Sequence, residues 1–255
     1  MKKLGFTLAE VLIALAIIGV VAAMTLPNLI NEYQKDVWAK SLSVAVSDFE
    51  RAMGAMIMRD GVNDLTETEA WKYVLKETEL FPHSNSENIE GFVKKLKDTL
   101  KIDEEYQSCG DFYKNIVVKK LNGNVIETSD GFFDEFIALT GKNNIVYLIS
   151  IPTPEGDANK TESDILSAGG NLYKAVGELH IDVNGNKKPN TVGKDIFYFK
   201  IDVNGNLYSY GGKDYSIWYN GDDSYTWQKK CSDSDKEDSW FCTGRLIENG
   251  YKMDY

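Results

Sequence analysis

Histidine is scarce in this chain, and its scarcity removes much catalytic chemistry from consideration. Only His83 and His180 occur, far apart and in no H-E-x-x-H or other metal-ligating spacing. No G-x-S-x-G elbow, phosphate-binding loop or dinucleotide fingerprint is present. There are three cysteines, Cys109, Cys231 and Cys242, and Cys109 has no histidine near it in sequence to activate it. Carboxylates are plentiful, but no pattern pairs two of them for acid–base work. The chain reads as a non-enzyme. Positive charge is also short: 28 Lys and Arg stand against 39 Asp and Glu, a net of −11. Such a surface repels nucleic acid and anionic lipid, so no nucleic-acid partner is expected. At 43% apolar and 26% charged, the composition is that of a folded protein.

What the chain does have is one long apolar run at its start. Met1–Gly5 is a short basic leader with Lys2 and Lys3, and residues 6–26 are apolar except for Thr7, Glu10 and Thr25, with Glu10 the one charge. As a helix those residues span roughly 31 Å, which matches a hydrocarbon core of about 30 Å. The leader lysines keep the start of the chain cytoplasmic and place the bulk outside. A carboxylate in such a helix costs about 2.5–3.5 kcal/mol, so Glu10 needs a partner. If the chain is cut after Gly5, Phe6 gains an α-ammonium four residues before Glu10. The amine of one subunit then neutralises the Glu10 of its neighbour, and the carboxylate stays unpaired until a second subunit arrives. A secretory signal peptide or a plain single-pass anchor also starts with basic and apolar segments. Neither requires a carboxylate in the core, and Val21–Ala22–Ala23 is a poor signal-peptidase site.

Lys2–Lys3–Leu4–Gly5–Phe6–Thr7–Leu8–Ala9–Glu10 resembles the processing site of type IV prepilins and type II secretion pseudopilins. The resemblance implies cleavage after Gly5 by a prepilin peptidase, methylation of the new N-terminal Phe6, and subunit docking through Glu10. It also implies a helix kink at Pro27. The implied partners are the peptidase, other pilin or pseudopilin subunits, an inner-membrane assembly platform, and membrane lipid before assembly. The implied location is the bacterial inner membrane, then a periplasmic or extracellular filament. Loss of the leader lowers Lys and Arg from 28 to 26, for a mature side-chain charge of −13. Cys231 and Cys242 enclose a short polar loop, and a bridge is permitted outside the cytoplasm. Type IV pilins often staple a C-terminal loop in this way, so the resemblance implies this pair; three buried thiols are the alternative.

Beyond Pro27 an apolar stripe of Leu29, Ile30, Tyr33, Val37, Leu42, Val46, Phe49, Met53, Met56 and Ile57 continues the helix to Gly61, with one slip near Lys40. Two shorter helices follow, Glu67–Thr78 opened by Thr66 and Glu69, and Glu87–Lys101 capped by Ser84 or Ser86. From residue 111 the pattern predicts strands at 116–121, 125–127, 132–139, 145–151, 177–183, 195–203 and 207–210. The expected fold is α+β and pilin-like: a long N-terminal α-helix, membrane-spanning then amphipathic, packed on a C-terminal antiparallel β-sheet. The predicted order is a leader (1–5), a transmembrane polymerisation helix (6–27), its amphipathic half (28–61), a helical insertion (62–110), and an antiparallel β head with a C-terminal disulfide loop (111–255).

Ile181–Asp182–Val183–Asn184–Gly185–Asn186 recurs as Ile201–Asp202–Val203–Asn204–Gly205–Asn206. Two related hairpin turns account for it, because Asn-Gly supplies the positive φ that tight turns need. The other reading is calcium, with Asp182, Asn184, Asn186, Asn190 and Asp195 as candidate ligands. Lys187, Lys188 and Gly193 break the standard loop pattern, so no cofactor is expected beyond this candidate ion. The last 45 residues hold many rings and carboxylates, Trp218, Trp227 and Trp240 among them. Three functions compete: a filament subunit of a type IV pilus or type II secretion pseudopilus; a membrane-anchored extracytoplasmic protein that binds a glycan or peptide through this acidic, aromatic region; and an exported hydrolase. Only the first requires Gly5, Phe6 and Glu10 together.

Overall fold

In a computed structural model, the structure describes residues 7–74, 87–102, 106–126, 136–150, 175–214, 226–231 and 238–255. The chain divides into two units, residues 1–37 and 38–255. Helix α1, Leu8–Asp60, runs for 53 residues, and Gly61 (φ +66°) stops it as expected. In the first unit its apolar side chains are exposed, Leu8 at 77% and Ile18 at 63%. This is the one helix among the described residues long and apolar enough to cross a membrane.

In the second unit, α1 buries Trp38, Ala39, Leu42, Ala45, Phe49, Ala52, Met53 and Met56. Steps of three and four residues put these on one face. The predicted slip near Lys40 is where the stripe moves from Val37, which is exposed, to Trp38, which is buried. The next two helices follow in the expected order; residues 75–78 of the first lie outside the described residues. Asp64, not Thr66, caps the turn Leu65–Glu67 by accepting from the Thr66 and Glu67 amides. Helix α2 then covers Glu69–Val74 and α3 covers Glu87–Leu96, followed by a π-helical turn at Lys97–Lys101. The proposed caps Ser84 and Ser86 lie outside the described residues.

The main sheet has six antiparallel strands in the order β1 (Tyr106–Ser108), β4 (Ile137–Thr140), β5 (Val146–Ser150), β6 (Ala175–Asp182), β7 (Ile196–Asp202) and β8 (Leu207–Ser209). Strands β2 (Val118–Lys119) and β3 (Val125–Ile126) form a separate hairpin around Asn122–Gly123. Ile137, Leu139, Tyr147, Ile149, Leu179, Ile181, Phe197, Phe199 and Ile201 share one core with the buried face of α1. The alternate residues Ala138, Val146, Leu148 and Ile196 pack on the other face with Cys109, Tyr113, Val118, Phe136 and Val192. Covering both faces explains why the central strands read as continuous apolar runs. The fold is the expected α+β, pilin-like one.

Two local expectations change. Tyr106–Ser108 falls within the stretch read as a helical insertion, yet it is an edge strand paired with β4. Residues 109–113 straddle the predicted boundary between insertion and β head, ahead of the first predicted strand, and form a short helix, Cys109–Tyr113 (α4). Ser108 caps it by accepting from the Asp111 amide at 3.0 Å. The repeat also divides. The second copy closes the tight β7–β8 hairpin, with the Asn204 and Asn206 amides donating to Asp202. The first opens a longer loop, because Lys187–Lys188–Pro189 follow where the second copy continues as a strand.

Gly205 in the hairpin has φ +82°, and a Cβ there would lie 2.3 Å from the Cβ of Met53. Left-handed strain and overpacking each cost about 1–2 kcal/mol or more. Gly205→Ala is therefore expected to lower unfolding stability by about 3 kcal/mol, read from denaturant melts. A loss below about 1 kcal/mol would mean that the hairpin does not press on α1 in solution.

Candidate functional site

Gly5 and Phe6 lie outside the described residues; the site is visible from Thr7 onward. Oε2 of Glu10 accepts from the Thr7 amide at 2.7 Å and from the Thr7 hydroxyl at 2.8 Å. In return the Glu10 amide donates to Thr7 Oγ1 at 3.3 Å. This is a capping box: two amides at the start of α1 that lack helical acceptors each gain a side-chain one. A carboxylate at a helix N-terminus also meets the positive end of the dipole. Thr7 thus braces the Glu10 carboxylate within the chain, through neutral donors that leave its charge unbalanced. Oε1 has no hydrogen-bond partner among the described residues. The site thus presents a braced carboxylate with one open oxygen, at the head of an exposed apolar helix. Thr7 was missed as a functional residue, although the T-x-x-E spacing signals it.

Pro27 lies inside α1, which continues through it. Proline lacks an amide hydrogen, so the Ala23 carbonyl loses its usual donor. Two residues earlier, the Thr25 hydroxyl donates to the Val21 carbonyl at 2.9 Å, a contact that favours bending.

The structure gathers four of the five calcium candidates in the loop between β6 and β7. Asp182 accepts from the Asn184 amide at 3.1 Å and from the Tyr113 hydroxyl at 2.6 Å. Asp195 accepts from the Asn190 and Thr191 amides at 2.8 and 2.6 Å. The Asn190 side-chain amide lies 3.1 Å from the carbonyls of Gly185 and Lys187, and donates to both when its nitrogen faces them. Asn186 is exposed and stays outside the group. Burial pushes the Asp182 carboxyl up to about 8, and the nearby Asp195 charge adds to the rise. Burial likewise raises Asp195 to about 6. The Asn184 side-chain oxygen is buried and accepts no hydrogen bond among the described residues. Two mutually repelling carboxylates beside an unsatisfied amide oxygen form a donor set that fits a hard cation. No group of three His, Cys, Asp or Glu suited to a metal occurs among the described residues. His180 adjoins this loop in sequence, stacked among Phe136, Tyr198 and Trp240, and burial lowers it to about 3.

Near the C-terminus, Cys231 and Cys242 are disulfide-bonded, with Cα atoms 5.2 Å apart, and Cys109 is a buried thiol. The nearly buried Arg245 donates to the Cys231 carbonyl at 3.0 Å and pairs with Asp254 at 2.9 Å. Its guanidinium also lies over the Trp227 and Tyr255 rings. Trp227, Trp240, Phe241, Tyr251 and Tyr255 are buried or half-buried, which favours packing over a ring-lined binding surface. Tyr215, Trp218, Tyr219 and Tyr225 lie outside the described residues, as does His83.

Comparison with known proteins places the N-terminal signature in a family. The profile described as "Prokaryotic N-terminal methylation motif" matches residues 1–26. The type II secretion system core protein G of Vibrio cholerae serotype O1 is 32% identical over 111 residues, covering 43% of this chain and 74% of that protein. The type II secretion system core protein G of Escherichia coli K12 is 32% identical over 95 residues, covering 37% of this chain and 64% of that protein. No solved structure gives a significant match.

Proposed function

The chain belongs to the type II secretion system core protein G family of pseudopilins, and from that premise we propose that it is cleaved after Gly5, methylated on Phe6 and assembled into a secretion pseudopilus. The braced carboxylate at the head of an exposed apolar helix carries this reading. Before assembly the apolar half of α1 rests in the inner membrane with the head outside. On docking, the new ammonium of one subunit meets the open oxygen of Glu10 on the next, and the lipid-facing side chains become buried against neighbouring helices. A prepilin peptidase, further subunits and an assembly platform are the partners this route needs. Mass spectrometry of the membrane-extracted protein tests it. A chain starting at methylated Phe6 is expected, and an intact Met1 or a start near residue 24 would overturn it.

We also propose that the loop between β6 and β7 binds calcium through Asp182 and Asp195, with Asn184 completing the oxygen set. When bound, the ion would supply charge balance, not chemistry. A hundredfold excess of calcium over its dissociation constant adds about 3 kcal/mol. For a unit of this size the melting midpoint is then expected to rise by about 5–10 °C over that in chelator. Identical midpoints in calcium, magnesium and chelator would rule the site out.

A further inference from the structure

Within the second unit, a cavity of about 210 Å³ opens between α1, the π-helical turn after α3 and the turn joining β4 to β5. Its lining includes Asp48, Arg51, Lys101, Lys142, Asn143 and Tyr147. Asp48 and Arg51 pair at 2.9 Å and cancel. Lys101 and Lys142 are exposed, and neither forms an ion pair with a described residue. Among the described residues the cavity therefore keeps two positive charges, in a chain whose mature side chains sum to −13. Tyr147 is nearly buried, and burial raises its phenol to about 12, so it stays a neutral donor. Lys101 has φ +54° and Asn143 φ +59°. Asparagine accepts that conformation readily, but for lysine it costs about 1–2 kcal/mol. Strain of this kind tends to gather at binding sites. Two ammonium groups and a phenol beside apolar wall suit carboxylates on a peptide segment.

We propose that this cavity receives the acidic segment at residues 232–237 of a second copy of the chain, through Lys101 and Lys142. That segment carries Asp233, Asp235 and Glu237 against a single Lys236, and it lies between the paired Cys231 and Cys242. Asp238 is already engaged by Lys230 at 3.0 Å, so it is not counted. The proposal rests on the filament reading for bringing copies side by side, and it gives the heads a contact of their own, independent of Glu10.

Carbodiimide cross-linking tests it, since the reagent joins a lysine amine directly to a touching carboxylate. Nitrogen-light and nitrogen-heavy preparations of the full processed chain are mixed in detergent micelles, cross-linked and digested. Expected are isopeptide links from Lys101 or Lys142 to the 232–237 peptide, with one light and one heavy partner. The double variant Lys101→Glu, Lys142→Glu is expected to lose those mixed links while keeping its melting midpoint. Absence of such links, links within single chains only, mixed links confined to other carboxylates, or links surviving the double reversal would each overturn the proposal. Micelles shield the apolar helix and a concentrated sample takes the filament's place in bringing heads together, so failure here is distinct from failure of filament assembly, which is read from Glu10 variants.

Discussion

Glu10→Ala is expected to leave the chain anchored and processed but to cut its incorporation into filaments by about ten- to a hundredfold. Removing the carboxylate relieves an insertion cost of about 2.5–3.5 kcal/mol, so the variant enters the membrane at least as well as the parent. What it loses is the charged contact with the neighbouring ammonium. A hydrogen bond to a charged group contributes about 1.5–3 kcal/mol, and each 1.4 kcal/mol is tenfold in an equilibrium. The capping box offers a competing explanation, in which Glu10 matters only for starting α1. Two further variants separate these roles. Glu10→Gln keeps an oxygen for Thr7 but removes the charge, and it is expected to fail as alanine does. Thr7→Ala removes the side-chain part of the cap but keeps the charge, and it is expected to assemble, with fraying limited to the first turn. Both are scored by filament yield against the amount of methylated Phe6 product. Full incorporation of Glu10→Gln would show that the carboxylate serves the helix and not the neighbour.

What could be foreseen from sequence divides by how local its cause is. The Gly5–Phe6–Glu10 signature, the stripe from Leu42 to Met56 and the apolar runs of β5 and β7 are set by neighbours in the chain, and each was legible there. Tyr106–Ser108 was not, because a three-residue edge strand takes its conformation from β4 across the sheet and has no alternation of its own. Helix α4 was hidden for the opposite reason: its one cap, Ser108, is local, but five residues at the boundary between insertion and β head are too few to show a helical period. The Asp182 loop was half legible. Oxygen-bearing side chains at alternating positions were visible, but Tyr113, which donates to Asp182 from 69 residues away, belongs to a different stretch altogether. The strong burial of both carboxylates follows from that long-range closure.

That burial gives the head an unusual pH response in chelator. An unfolded Asp182 ionises near 3.8, whereas the folded one holds its proton to about 8. The folded state therefore binds more protons between those values, and the stability from the protonated form is lost as pH rises through the folded value. His180 acts in the opposite sense, since its folded value of about 3 lies below 6.5; half of the unfolded imidazole is still protonated at pH 6.5, and its loss above that offsets about 0.4 kcal/mol. Asp195 is mostly ionised by then, its folded value being about 6, so little of its own change remains above pH 6.5. Between pH 6.5 and 8 Asp182 is left as the main titrating group of this loop, and one proton is worth about 1.4 kcal/mol per pH unit. The stability of the chelated chain is thus expected to fall by about 2 kcal/mol across that window. Asp182→Asn, which matches the shape and keeps an acceptor for Tyr113, should flatten the fall and leave the variant the more stable chain at pH 8. Thermal melts at fixed ionic strength measure both. Calcium should flatten the parent's curve too, because a bound cation takes the place of the proton between the carboxylates. A chelated parent whose midpoint stays level from pH 6.5 to 8 would mean that water or a lysine reaches Asp182 in solution, and that the loop is open where the structure has it closed.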